Sequence, residues 1–397
     1  MIYAPLDAPR ETPALRAVIE QAFDFRQGLW ERFHSLVGAG EFRVVRRKGT
    51  LVGGLARYPF EQWFGGRAQP SVGLAGVGVA PEARRTGAGS ALLRGVLREA
   101  REEGTALSCL YASTSQLYQH VGFAECGSLV GFRLPLTALA GLKAERDLPL
   151  ERLELSPDHA PPPAIARVYE RVARASSGFL ARSPLIWERV LRVWEDAPVW
   201  AYRVGSEADP RGYLVYTHSR AGSESGYELC VRDWAALDGA AARRLWTFCS
   251  DHTSLARAVR WKGPPVDPLA SLLPEPTAPR ITSSEAWLLR IVDVAAALER
   301  RGFPEWVQDT LDLEVEDRDL SDNAGRHRLR VEGGSATVER GGEGTLRLSI
   351  NALAPLFTGW LTPSQLQATG RLQGTPAALA AATRMFSGPA PWMPDRF

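Results

Sequence analysis

Lysine is almost missing from this sequence. Of its 47 basic residues only Lys48, Lys143 and Lys262 are lysines, so arginine carries nearly all the positive charge. With 45 acidic residues the formal net charge is +2, and the basic residues are spread along the chain without a stripe or tail. That spread argues against a nucleic-acid partner, which needs clustered positive charge. Cysteine is scarce too, and Cys109, Cys126, Cys230 and Cys249 form no C-x-x-C pair. Cys109 and Cys230 sit in apolar strand-like runs, which fits buried thiols better than disulfides or metal ligands. The six histidines show no H-E-x-x-H or paired spacing, so no metal site is expected. No apolar run is long enough to span a membrane, and the opening MIYAPLDAPRETPALR has Pro, Asp and Glu where a secretory leader needs an apolar core. A cytoplasmic protein with no membrane attachment is expected.

What is present is core material. Hydrophobic residues make up 45% of 397, including 12 Trp, enough for a soluble globular chain of two to four domains. Three are expected, at 1–145, 146–280 and 281–397. In the first, residues 14–22 and 28–37 read as helices, and 42–47 and 51–60 as strands around a Lys48-Gly49 turn. Then follow a strand at 74–80, a helix at 87–103, a strand at 106–112, a short helix around Leu117 and a strand at 128–136. The central strands are apolar on both faces, as in an α/β unit whose sheet is covered on both sides. A stretch with Pro149, Pro157 and Pro161 to Pro163 leads into a second unit with helices at 165–174 and 184–194. Its strands at 199–204, 212–219 and 227–232, helix at 239–252 and strand at 256–261 resemble the order of the first. After the proline-rich 263–279, the third unit reads as a helix at 291–302, a four-strand meander with one wet face (311–317, 326–334, 335–342, 345–350), and helices at 351–358 and 376–386.

Chemistry concentrates in VGVAPEARRTGAGSALLRGVLREAR, residues 77–101. A strand, a glycine-bearing turn and a helix in that order form a cradle for phosphate, because backbone N–H groups converge at the positive end of a helix. Leu92, Leu93, Val96, Leu97 and Ala100 lie on one helical face and Arg94, Arg98 and Arg101 on the other, so the helix can dock while its N-terminus stays open. A P-loop is excluded, since no lysine lies between Lys48 and Lys143. A dinucleotide G-x-G-x-x-G is weak, because Leu92 stands where the third small residue belongs. The remaining pattern, Arg-x-x-Gly-x-Gly at Arg84, Gly87 and Gly89 after a strand ending Val-Ala-Pro, resembles the coenzyme A pyrophosphate turn of the GNAT N-acetyltransferases. One strand later, Leu117-Tyr118-Gln119-His120-Val121-Gly122-Phe123 is similar to that superfamily's Tyr-x-x-x-Gly-Phe segment.

Acetyl transfer needs a neutral amine, donors for the developing oxyanion and a proton for the departing thiolate. The resemblance implies that acetyl-CoA is the co-substrate, with the backbone of Val77, Gly78 and Val79 beside its pantetheine. Around its pyrophosphate it puts Arg84, Arg85, Thr86, Gly87, Ala88, Gly89 and Ser90, with Ser113 and Thr114 flanking. It makes Tyr118 the general acid, since a phenol with reference pKa of about 10 keeps its proton at neutral pH. A core tyrosine with a structural hydroxyl is the alternative. His120 and Cys109 are read as structural.

Over nearly the whole chain the sequence resembles the enhanced intracellular survival acetyltransferases of mycobacteria and their bacterial relatives. The resemblance implies a mixed α/β chain with two tandem GNAT-like domains, the second degenerate, followed by a sterol-carrier-protein-like α+β domain. It also implies N-acetylation of primary amines, whether of aminoglycoside- or polyamine-like molecules or of lysines, by a hexamer. The free carboxylate of the chain end, here Phe397, would act as general base from the proline- and aromatic-rich PAPWMPDRF, and Asp24, Phe25 and Trp30 would line the substrate pocket. Arg396 stands where some members have an acidic residue, with Asp395 one place earlier, which leaves substrate preference open. Gly76 replaces a bulky aromatic and is expected to open the pocket. The middle unit lacks the glycine turn and is expected to bind no coenzyme. From another class, the rival is a lipid-binding or acyl-CoA-sensing scaffold without turnover.

Overall fold

The computed structural model describes residues 1–24, 28–192, 198–220 and 226–397. The chain divides into two compact units, one made of Met1–Gly127, Ala286–Pro389 and Phe397, the other of Ser128–Glu285 and Ala390–Arg396.

In the first unit β1 (Ile2–Pro5) precedes helices α1 (Ala8–Phe23) and α2 (Leu29–Val37). Strands β2 (Phe42–Arg47), β3 (Thr50–Phe64) and β4 (Arg67–Val79) follow, then α3 (Ala88–Glu102), β5 (Leu107–Tyr111) and α4 (Gln116–Gln119). The strands lie in the order β1, β2, β3, β4, β5, antiparallel except for the parallel pair β4 and β5. Residues 287–291 of the strand Arg280–Ile291 then pair antiparallel with β5. Helix α3 buries the predicted apolar face, with Leu92, Leu93, Val96, Leu97 and Ala100 all almost fully enclosed. Each large side chain there contributes roughly 1.5–3 kcal/mol of burial. Its underside is pinned by Glu99, which takes Arg43 at 2.6 Å and also accepts from Tyr3.

Three expectations are corrected. The β3–β4 hairpin is longer than the strands read at 51–60 and 74–80, closing through Gly65 and Gly66, both at positive φ. Its outer part carries buried Gln62, Gln69 and Ser71 beside Pro70, polar and proline residues that lie between the two strands expected from the sequence. Residues 280–290, unassigned between the proline-rich 263–279 and the helix expected at 291–302, belong to the strand Arg280–Ile291, and the helix begins only at Val294. The third segment is not a meander. Its strands Ser335–Arg340, Gly325–Glu332 and Asp309–Glu316 are antiparallel neighbours, but Leu346–Ser349 returns parallel beside Asp309–Glu316, with Leu372–Gly374 beyond it.

The second unit repeats the strand scheme. Residues 130–135, then Ala256–Gly263, Tyr227–Ala236, Pro210–Ser219, Trp200–Gly205 and Leu150–Leu153 lie side by side, with Ala256–Gly263 and Tyr227–Ala236 the parallel pair. The helix Gly239–Ser250 follows Tyr227–Ala236 as α3 follows β4.

Candidate functional site

The parallel ladder of β4 and β5 is short, joining Ser71 to Leu107, Val72 to Ser108 and Gly73 to Cys109. Beyond Gly73, β4 runs on to Val79 with β3 on one edge and, among the described residues, no strand on the other. A bulge causes the parting: Gly76 and Val77 together face Leu55, and Gly76 has φ +57°, a conformation that favours glycine. Gly76 does not simply open the pocket, because the Phe33 ring lies 3.1 Å from where its Cβ would be. The free edge therefore presents the backbone of Val77, Gly78 and Val79. Gly78 is small because Ile19 and Ala22 of α1 approach to 3.1 and 3.5 Å of a Cβ there.

From Val79 the chain makes a 3-10 turn at Pro81–Ala83 and enters α3 through two left-handed residues, Arg85 at φ +60° and Gly87 at φ +87°. Arg84 Nε reaches back to Val79 O at 3.4 Å and Thr86 Oγ1 donates to Ala83 O at 2.7 Å. Among the described residues no side chain caps the helix. Among the described residues the six backbone N–H groups from Arg85 through Thr86, Gly87, Ala88, Gly89 and Ser90 have no acceptor; the next, Ala91 N, bonds Gly87 O at 2.9 Å. Unpaired donors at the positive end of a fifteen-residue helix are able to receive an anion.

The second motif packs against this one. Leu117 Cδ2 lies 3.3 Å from where a Cβ on Gly89 would be. Tyr118 shares a hydrophobic cluster with Val77 and Val79. Its turn is a Schellman cap: Phe123 N bonds Tyr118 O at 3.1 Å, Gly122 N bonds Gln119 O at 3.1 Å, and Gly122 has φ +90°. The accompanying apolar contact is the edge-on pairing of the Tyr118 and Phe123 rings, 5.9 Å apart. This is the physical content of Tyr-x-x-x-Gly-Phe. Tyr118 is 8% exposed, and burial pushes its phenol up to about 12. Its hydroxyl has no hydrogen-bond partner among the described residues. Ser113 and Thr114 are exposed in the link from β5 to α4. Cys109 is fully buried, its thiol raised to about 12 by burial, and exposed His120 bonds its own helix at Gln116 O.

The Phe397 ring packs at the foot of the fork, 5.4 Å from the Tyr58 ring and 5.2 Å from the Phe60 ring. Gly73, the last ladder residue of β4, has to be glycine here, since a Cβ would overlap that ring. Asp24 is an exposed carboxylate just beyond α1, in the left-handed region at φ 49°. Trp30 is 3% exposed and packs against Phe33, His34 and Phe42, so its indole belongs to the core beneath α2 and not to an open pocket wall. Phe25 lies outside the described residues.

Comparison with known proteins decides the family. The chain is 30% identical over 391 residues to an uncharacterized N-acetyltransferase of Streptomyces coelicolor, spanning 93% of this chain and 89% of that protein. It belongs to the Eis-like GNAT N-acetyltransferases. Acetyltransferase (GNAT) domain models match residues 8–126 and 178–291, and a sterol carrier protein domain model matches 294–394. The N-acetyltransferase Eis of Mycobacterium tuberculosis is 28% identical over 319 residues, 77% of this chain and 74% of that protein. A GCN5-related N-acetyltransferase from Anabaena variabilis superposes with TM-score 0.93 at 37% identity, covering 100% of both chains. This GNAT protein is thus an acyltransferase, and enzymes of its family draw on acetyl-CoA.

In the second GNAT domain the corresponding site is filled from within. Asp238 precedes the helix Gly239–Ser250 and its carboxylate accepts from Ala240 N and Ala241 N at 3.0 Å, taking the place of an anion. Beyond the parallel ladder, Trp234, Trp246 and Trp261 pack together at 5.0–5.8 Å, and Trp261 stacks on Phe132. In the same unit Asp395 is buried against Arg182 at 2.8 Å, and Arg396 pairs with Glu285 at 2.9 Å. Asp395 is enclosed, whereas Arg396 stays half exposed beside Glu285. Among the described residues no three His, Cys, Asp or Glu side chains gather as metal ligands, and no helix is long and apolar enough to cross a membrane.

Proposed function

We propose that this GNAT enzyme moves an acetyl group from acetyl-CoA directly to a primary amine. Acetyl-CoA supplies the activated acetyl thioester. The observation that carries the reading is the row of six unpaired amides at 85–90 with the Tyr118 turn packed against it through Leu117 and Gly89. Residues 85–90 and Arg84 hold the pyrophosphate, and the free edge of Val77, Gly78 and Val79 aligns the pantetheine as a strand would. Ser113 and Thr114 flank the same arm.

Tyr118 acts as general acid, giving its proton to the departing sulfur; its unpartnered hydroxyl and its protonation at neutral pH suit that role. The α-carboxylate of Phe397 takes the proton from the attacking amine, with its ring held by Tyr58 and Phe60. Asp24 meets a substrate ammonium. A carboxylate at the negative end of α1 in left-handed backbone is locally unfavourable, which suits a residue kept for binding. Trp30 supports α2 from below. The substrate class is a small cationic amine of aminoglycoside or polyamine type, or a lysine. The second GNAT domain binds no coenzyme, its helix being occupied by Asp238. By its resemblance to the family the enzyme is a hexamer.

Thiol release from acetyl-CoA, measured with aminoglycosides, polyamines and lysine peptides, tests the proposal. Release matched by acetylated amine is expected. Coenzyme binding with no release for any amine would overturn it in favour of an acyl-CoA-sensing or lipid-binding scaffold.

A further inference from the structure

The turn that carries Tyr118 does not hold itself in place. The carbonyls of Val121 and Phe123, and that of Gln119 in addition to its cap bond, each accept from a side chain elsewhere in the first unit. Arg290 Nε donates to Val121 O at 2.9 Å. Asn351 Nδ2 donates to Gln119 O at 3.0 Å and to Phe123 O at 2.8 Å. Gly122 lets the guanidinium lie flat on the turn, because a Cβ there would meet Arg290 Nε at 2.5 Å.

Arg290 is completely buried; its Nη2 donates to both carboxylate oxygens of Asp317 at 2.8 Å and its Nη1 to Ile291 O at 2.8 Å. Asp317 also accepts from Asn323 Nδ2 at 2.9 Å and from the backbone N–H of Asp319 and Leu320. The same short segment grips the helix that bears the anion cradle. Arg101 donates to Asn323 Oδ1 at 2.9 Å, and Arg94 pairs with Asp319 at 2.5 Å. Residues 317–323 therefore bond α3 directly and the Tyr118 turn through Arg290. With Nε, Nη1 and Nη2 each on a different partner, the guanidinium plane is fixed in direction as well as distance, as such a link requires.

We infer that Arg290, Asp317 and Asn351 are positioning residues for acetyl transfer: Asp317 and Asn351 of the sterol-carrier-like domain, with Arg290 of the strand before it, brace Tyr118 against the coenzyme cradle. This rests on the reading of Tyr118 as general acid. A displacement of about 1 Å in a reacting group costs roughly 10²-fold in rate even when the group is intact.

The test uses the full chain. Asn351→Ala, which removes two donors from a half-buried site, should lower kcat roughly 10²-fold. The calorimetric Kd for coenzyme A should not move, and amide exchange at residues 121–123 should quicken. Arg290→Lys keeps the cation but loses the planar set of three donor nitrogens and should behave alike; where it fails to fold, Asn351→Ala decides alone. In a Tyr118→Phe background Asn351→Ala should cost nothing more, because it acts only through that phenol. Unchanged kcat and exchange in Asn351→Ala, or the same loss with and without Tyr118, overturns the brace. An unchanged rate in Tyr118→Phe alone is a different result: it removes the acid assignment.

Discussion

Gly87→Asp would place in the first GNAT domain the charge that Asp238 places in the second. Among the described residues nothing lies within 4 Å of a Cβ at Gly87, so the side chain fits without a clash. The backbone stands at φ +87°, and a non-glycine residue there costs roughly 1–2 kcal/mol. A carboxylate at a helix N-terminus returns about 0.3–1 kcal/mol. The net effect on folding is therefore small. The effect on an anion is not. A carboxylate about 6 Å from one phosphate charge is repelled by roughly 3 kcal/mol at an effective dielectric near 20, about 10²-fold in affinity. Calorimetric titration with coenzyme A should show that weakening, with Tm shifted by only a few degrees. Gly87→Asn, which shares the strain but not the charge, should bind much more nearly as the parent does. If Gly87→Asp binds coenzyme A with unchanged Kd, the six amides at 85–90 do not hold the pyrophosphate.

Residues added after Phe397 should abolish turnover while coenzyme affinity persists, and full activity of such a chain would exclude the terminal carboxylate as base. Titration should saturate at one coenzyme per chain, since Asp238 occupies the second helix end; two equivalents would show that it does not block the site. Burial raises the Tyr118 phenol to about 12, so the acid stays protonated across the working range. The rate should climb as the substrate amine loses its proton, with no descending limb below a pH of about 11. A descending limb near pH 10 that vanishes in Tyr118→Phe would contradict this.

The cradle was legible because glycines, a helix period and a missing lysine are local signals. So was the pairing of Arg84, Gly87 and Gly89 with Tyr118, although only the fold shows that Leu117 touches Gly89. Less legible was what depends on distant partners. The strand Arg280–Ile291 was obscured by Arg290, whose charge is matched by Asp317 twenty-seven positions on. Trp30 looks like a pocket residue until Phe33, His34 and Phe42 are seen around it. Gly76 had a signal: an isolated glycine inside an apolar strand suggests a bulge, and this bulge parts β4 from β5. The meander was misread because alternation reports which face is wet, not which strand lies beside which. The helix Pro363–Ala368, absent from the sequence reading, carries its own start in the Thr362–Gln365 capping box.

The central claim is that Tyr118 gives its proton to the leaving thiol during transfer to an amine. The direct measurement is the rate of thiol release by Tyr118→Phe and by the parent, both saturated with acetyl-CoA and an accepted amine. A fall of roughly 10²- to 10⁴-fold, with the Kd for coenzyme A unchanged, is predicted. Equal rates would contradict the account.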